Sequence, residues 1–448
     1  MVDWRRQGEG MMRSGKDNLS FARKGVAIGQ MGSFPATLYD GDLYDNNTAV
    51  IVPTDPSILP ALWAYCSSDE FKRNLQRIDG TAKVINASFL KVPFEVDHWN
   101  SVAVQRYPEG LPAPYSPDPT QWLFHGHPAD STAPLQVAVA RLLGYRWPAQ
   151  DALTPRPSPA SGRGEQAMEL SEEARAWVAK ANALGTITRE PATSNGRATS
   201  LIDDDGIVCL PPVRGEATAV DRLRALLRAA FGAEWSAAKE AQLLKDAGCE
   251  GLTLEQWLRD RFFEQHVTLF HRRPFIWHVW DGHKEGFSAL VNYHKLTKAK
   301  LQTLIHTYLG DWITQQRRAV EAGDRAAPVK LAKAEVLKER LLAILEGEVP
   351  YDIFVRWKRL AEQPLGWDPD INDGVRLNIR PFVEADVLRI PRTKLGIKWQ
   401  HDRGKDVPSA PWYGLGPKYG EAPGTRINEH HTTLAEKQSA RAAAQASN

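Results

Sequence analysis

Thr48-Ala-Val-Ile-Val-Pro53 runs through Thr54-Asp-Pro56 into Ser57-Ile-Leu-Pro-Ala-Leu-Trp-Ala-Tyr65, and this passage decides the fold class. Its first part is a short apolar run closed by proline, the signature of a strand. Its second part places Leu62, Trp63 and Tyr65 on a helix that begins near Ser57. Upstream, Gly25-Val-Ala-Ile-Gly29 and the Asp40-Gly41 turn signal extend the reading to strands joined by hairpins. Downstream, Ser68 is a candidate N-cap for a second helix with Phe71, Leu75 and Ile78 at helical spacing. A last strand, Lys83-Val-Ile-Asn-Ala-Ser-Phe-Leu-Lys-Val-Pro93, is expected to close a small mixed α/β domain over residues 1–105.

The rest of the chain reads differently. Residues 106–150 form a proline-rich wrap (Tyr107 to Pro119) followed by a short helix, Pro134 to Gly144. Residues 151–200 form a linker, because Thr154-Pro-Arg-Pro-Ser-Pro-Ala-Ser-Gly-Arg-Gly164 carries too little apolar surface to order itself. Residues 201–350 are helical, clearest over Asp221 to Phe231, Ser236 to Ala247 and Thr253 to Phe270, with Thr253 and Gln256 placed as a capping box.

Two longer amphipathic stretches follow, one lined by Leu301, Leu304, Ile305, Tyr308 and Trp312, the other by Leu331, Val336, Leu337, Leu341, Ile344 and Leu345. They predict an antiparallel helical hairpin. Beyond Pro350 periodicity fades, so residues 351–448 are expected to pack as loops and short strands. The fold class is therefore α+β: a small mixed domain, a mainly helical region with a long hairpin, and an irregular C-terminal segment.

With 448 residues, 42% hydrophobic and 25% charged, the chain has the composition of a globular protein and length for about three domains. A net charge of +2 implies no polyanion binding by the chain as a whole, so any nucleic-acid surface is local. Cys66, Cys209 and Cys249 form no C-x-x-C pair and leave an odd thiol, which fits neither a disulfide framework nor a structural zinc site. No run approaches the ~18 apolar residues of a membrane span, and the expected location is the cytoplasm, with no membrane partner.

Base methylation needs a glycine-rich turn for the cofactor and, for adenine, a polar-Pro-Pro-aromatic loop around the flipped base. The sole Pro-Pro pair, Pro211-Pro212, is flanked by Leu210 and Val213, and Gly8-Glu-Gly10, Gly162-Arg-Gly164 and Gly414-Leu-Gly416 lack a strand before and a helix after them. Asp55 with Glu70-Phe-Lys72 has roughly the spacing of a nuclease metal motif, but Glu70 and Lys72 fall at a helix start, where acids favour the dipole. Trp277-His-Val-Trp-Asp-Gly-His283 matches no ligand spacing, so His278 and Trp280 are read as core residues. Neither catalytic, cofactor-binding nor metal-binding residues are assigned.

Two regions carry a resemblance. Gly25 to Gly32, Tyr44 to Pro53, Leu62 to Phe71 and Lys83 to Phe94 resemble, in that order, the target-recognition domain of single-chain restriction-modification methyltransferases, and the order is also similar to type I specificity subunits. Arg273 to Gly282, Phe287 to His294, Gly366 to Pro381 and Ile397 to Asp406 resemble the C-terminal part of adenine-specific DNA methyltransferases of BREX-like and DISARM-like phage-defence systems. The resemblance implies DNA sequence recognition for adenine methylation, with double-stranded DNA and a methyltransferase catalytic domain or subunit as partners. S-adenosylmethionine is implied for the full enzyme and not for this chain. Family members carry the catalytic motifs upstream of the recognition domain, so a split subunit or a gene fragment is expected. An autonomous DNA-modifying or DNA-cleaving enzyme with an unrecognised site, and a non-enzymatic scaffold of a defence complex, stay open.

The implied surface holds phosphates with Lys and Arg and reads bases with amides. Arg23, Lys24, Gln30, Lys83 and Asn86 are candidates near the strands, each equally compatible with a solvated surface or turn. From Val375 to Asp406 eight Lys or Arg face four Asp or Glu, and Arg392, Lys394, Lys398, Trp399, Arg403 and Lys405 are further candidates. Phosphate contact and an ion-paired surface involving Asp402 and Asp406 are both open readings of that patch.

Overall fold

A computed structural model describes residues 23–41, 47–111, 126–146, 179–184, 188–189, 199–200, 205–356, 358–397, 413–420, 422–425 and 430–446, with Ser20, Tyr44, Ile202 and Pro408. The Thr154 to Gly164 linker lies outside the described residues. The chain is α+β and divides into two compact units, Asp3–Pro117 and Asp118–Asn448, the latter with Met1–Val2.

In the unit Asp3–Pro117, β1 (Gly25–Gly29) is the centre of an antiparallel sheet between β2 (Ala36–Tyr39) and β3 (Thr48–Ile51). The register sets Ala27 opposite Thr37 on one side and Val50 on the other. Val26 and Ile28, two apart and therefore on one face, are fully buried. A β-carbon at Gly25 would lie 2.3 Å from the Ile51 carbonyl oxygen, so only glycine lets β1 and β3 approach this closely.

The expected helices follow as α1 (Leu59–Cys66) and α2 (Asp69–Ile78). Ser68 caps α2 by accepting the Phe71 N–H at 3.1 Å. Phe71 then packs edge-on against Tyr65 at 5.3 Å between ring centroids, and Tyr65 meets Trp99 at 4.9 Å.

The closing strand does not form. Lys83 makes a single bridge with Met31, and the chain then turns into a short helix, α3 (Asn86–Phe89). The Asp79 carboxylate draws the segment inward, accepting from the Ser88 hydroxyl at 2.7 Å and the Ile85 N–H at 3.4 Å. Val84 and Phe89 are both buried in the same core. A straight strand would send residues five apart to opposite faces. Next, α4 (Val96–Arg106) buries Trp99 and Ala103, one turn apart, and packs on α1.

In the second unit, α5 (Pro134–Leu142) is buried on nearly every side. A two-residue ladder joins β4 (Thr188–Arg189) to β5 (Thr199–Ser200). The main sheet is antiparallel, with β8 (Ser288–Asn292) between β6 (Ile207–Cys209) and β7 (Ile276–Trp280). Asp281 shapes the β7–β8 turn by accepting the N–H groups of His283 (2.9 Å) and Phe287 (2.7 Å).

The helical readings hold in outline: α6 (Ala219–Phe231) and α7 (Ala237–Asp246) match, the latter capped by Ser236. Thr253 to Phe270 divides at Arg261 into α8 (Leu254–Asp260) and α9 (Phe262–Leu269), and the Thr253–Gln256 capping box is formed in both directions. The hairpin consists of α10 (Lys298–Thr303), a π-helical turn over Leu304–Tyr308, α11 (Leu309–Glu321), and the antiparallel α12 (Ala327–Glu346). Val336 departs from the expected stripe and is 43% exposed.

The C-terminal segment departs most from expectation. It holds α13 (Val375–Glu384), α14 (Arg392–Leu395) and α15 (Leu434–Ala446), and among its described residues the only strand-like contact is a bridge from Leu388 to Val279. Pro381 removes one ladder hydrogen bond and so blurs the helical pattern of α13, but Ile379, Phe382 and Val383 still form its buried face. One hydrophobic core draws on α5, the sheet, the hairpin, and Ile353, Val355, Trp367, Phe382 and Leu388 beyond it.

Candidate nucleic-acid interface

In the unit Asp3–Pro117 the candidates separate into two places. Arg23 and Lys24 are exposed immediately before β1, whereas Gln30 lies immediately after it. At a strand rise of about 3.3 Å per residue, Arg23 and Gln30 stand roughly 20 Å apart.

Gln30, Lys83 and Asn86 do come together. Gln30 is 5% exposed, its backbone N–H donates to the Asn47 carbonyl at 2.8 Å, and its carbonyl accepts the Val84 N–H at 3.0 Å. Its side-chain amide donates to Asn86 Oδ1 at 2.5 Å, and Lys83 Nζ donates to Asn47 Oδ1 at 3.0 Å. Gln30 is thus an interior residue that holds the exposed Asn86 side chain, not a reader placed at the surface. Beside this pair stand two exposed apolar side chains, Met31 (48%) and Ile85 (62%). The patch combines amide and ammonium donors with apolar groups, a mixture able to meet base edges and a thymine methyl.

In the other unit, Arg392 and Lys394 are exposed on α14. Arg392 donates to Glu384 Oε2 at 2.7 Å, so that charge is already paired. Lys394 makes no ion pair among the described residues, and its carbonyl accepts from Arg272 Nη1 at 3.4 Å. Lys398, Trp399, Arg403 and Lys405 lie outside the described residues, as do Asp402 and Asp406. Arg272, and Arg273 beside it, were missed by the sequence reading, although His271-Arg272-Arg273 is a visible basic run.

Several side chains singled out in the sequence have structural roles. His278 Nε2 and Ser288 Oγ are 3.0 Å apart, but His278 is fully buried, burial pushes its pKa down to about 3, and Nδ1 has no acceptor to orient the ring. His266 accepts the Ile276 N–H at Nε2 (3.1 Å), which leaves Nδ1 to donate to Gln136 Oε1 (3.1 Å). It is a neutral core histidine, its pKa also lowered to about 3 by burial. Trp280 is only half-buried, and the Arg389 guanidinium covers its ring at 4.0 Å from the centroid.

Asp55 accepts the Ser57 N–H at 2.9 Å to cap the turn Pro56–Ile58, and Lys72 pairs with Asp69 at 3.2 Å, so neither joins Glu70 in a site. The Pro212 carbonyl accepts from Gln315 Nε2 at 3.4 Å beside the hairpin. Cys66, Cys209 and Cys249 are buried and form no disulfide, and burial pushes the Cys66 thiol up to about 12. Among the described residues, no group of three or more His, Cys, Asp or Glu is placed to hold a metal ion, and no helix is long and apolar enough to cross a membrane. Neither protein-family models nor curated protein sequences match this chain.

Proposed function

We propose that this chain recognises a DNA sequence for adenine-specific methylation in a restriction-modification or phage-defence system, with S-adenosylmethionine bound by a separate catalytic domain or subunit. The observation that carries the reading is the patch formed by Lys83, Asn86, Met31 and Ile85, in which buried Gln30 orients an exposed amide. A base-reading amide has to be held in one orientation before it meets the groove, and a buried hydrogen-bond partner supplies that constraint. The ordered sequence elements from Gly25 to Phe94 support the same assignment through their resemblance to target-recognition domains.

Selection of the full chain on a random-sequence duplex library tests it. A defined motif is expected, and Asn86→Ala is expected to relax preference at one position by about 1–3 kcal/mol, while Lys83→Ala weakens all sequences alike. Enrichment of no motif would remove the recognition reading and leave the scaffold. Incubation with labelled S-adenosylmethionine and the selected duplex is expected to transfer no methyl group without a partner. Incorporation by the chain alone would instead favour the autonomous enzyme.

A further inference from the structure

We propose that the turn His271-Arg272-Arg273 and the helix α14 form a phosphate clamp, a sequence-independent contact with the backbone of duplex DNA on the unit Asp118–Asn448. Two segments that lie 122 positions apart in sequence are brought side by side, with Arg272 Nη1 3.4 Å from the Lys394 carbonyl. The approach is close on the other flank too, since a β-carbon on Gly396 would lie 2.9 Å from the Arg272 guanidinium carbon. His271, Arg272, Arg273 and Lys394 are all exposed, and none of them pairs with a carboxylate among the described residues. The nearby Arg392 does, through Glu384.

The backbone of this turn is unusual. His271 and Arg272 are consecutive non-glycine residues at φ +50° and +63°, a conformation that L side chains adopt at a steric cost. Their N–H groups close the end of α9, donating to the carbonyls of Thr268 (3.2 Å) and Val267 (2.8 Å). The helix end therefore holds three successive side chains on a fixed turn. The negative end of the α9 dipole accounts for one cation near it, but not for an adjacent Arg273 or for Lys394 arriving from another helix. Cations that pair with no carboxylate among the described residues, carried on two adjacent segments, match a row of phosphates. The choice of duplex DNA as occupant rests on the proposed function, and phosphate contacts would fix the chain on that duplex independently of base sequence.

The test is the salt dependence of binding to a labelled duplex of mixed sequence, using the full chain. Each phosphate contact contributes a slope of about −0.9 in log K against log salt. The double variant Arg273→Gln/Lys394→Gln is expected to flatten that slope by about 2, and Arg392→Gln, whose charge is already paired, by less than half as much. Among the described residues neither Arg273 nor Lys394 has a side-chain partner, so an unchanged thermal transition is expected and marks the loss as electrostatic. Charge reversal, Arg273→Glu/Lys394→Glu, is expected to weaken binding further at low salt and to converge with the parent at high salt.

An unchanged slope in the double variant overturns the clamp, as does undetectable duplex binding by the parent chain at low salt. So does a loss of affinity seen only for an acidic peptide or a single-stranded RNA. The clamp and the base-reading patch fail separately. Asn86→Ala alters the preferred sequence without changing the slope, whereas Arg273→Gln/Lys394→Gln changes the slope without altering the preference.

Discussion

The two compact units both have apolar cores but differ in the polar groups those interiors enclose. In Asp3–Pro117 the core is a cluster of rings and aliphatic side chains around Tyr65, Phe71, Phe89 and Trp99, and Gln30, Ser20 and Ser88 are its only buried polar residues among those described. The unit Asp118–Asn448 instead encloses His266, His278, Asp352, Arg356, Arg380 and Lys437. Asp352 has no exposure and accepts the Thr432 N–H (2.9 Å) and a hydrogen bond from His431 (2.6 Å), while Arg380 donates to its carbonyl (2.6 Å). Lys437, on α15, is equally enclosed and donates to the Ile353 carbonyl at 2.9 Å. An apolar core tolerates sliding, whereas a buried charge accepts only the geometry that pairs it. The polar interior therefore fixes where the C-terminal helix docks.

The contrast breaks first at Asp352. Its replacement by alanine removes the carboxylate beside buried Arg380 and the acceptor of the Thr432 N–H, and a loss of about 3–5 kcal/mol is expected in urea unfolding. Peptide-resolved hydrogen exchange should place the loss in Asp118–Asn448. A cost below about 1 kcal/mol would show that these charges do not define the docking. Phe71→Ala, which leaves a cavity among Tyr65 and Phe89, is expected to cost about 3 kcal/mol and to raise exchange in Asp3–Pro117.

Acid sharpens the same comparison. His266 and His278 are held near a pKa of about 3, below the ordinary histidine value, so between about 3 and 6.5 the unfolded chain binds protons that the folded chain does not. The contribution of these histidines to the stability of Asp118–Asn448 is thus complete above pH 6.5 and is lost on acidification towards 3. In the other unit Asp79 is held down to about 2 by hydrogen bonds from Thr81 and Ser88. Its contribution is present above 3.8 and disappears only as pH falls towards 2. Exchange measured across pH 7 to 4 should therefore show Asp118–Asn448 opening first, and simultaneous opening would contradict this ordering. The smallest effect is Ser68→Ala, which removes the α2 cap and is expected to cost about 1 kcal/mol in the same measurement.

Legibility in the sequence followed the range of the interactions. The Thr253–Gln256 box and the Ser68 cap are written within four residues and formed as read. Lys83 to Pro93 was not readable, because its apolar content fits a strand and only the reach of Asp79 to Ser88 turns it into a helix. The candidate surface was half legible. Amides and cations near β1 could be named, but whether Gln30 faced water depended on Asn86, 56 positions away. In the basic region the sequence presented Arg392 and Lys394 alike, and the structure separates them by one carboxylate, Glu384.

Composition, periodicity and caps by themselves determined the α+β class, the positions of most helices, the strand-rich start and the long hairpin, since each depends on side chains a few residues apart. Only the tertiary structure decided that the irregular C-terminal segment shares the core of the helical region, that Gln30 serves Asn86 from inside, and that Arg272 stands beside Lys394. Those outcomes depend on which distant groups can satisfy a buried charge, amide or carbonyl, and a linear pattern carries no record of such partners.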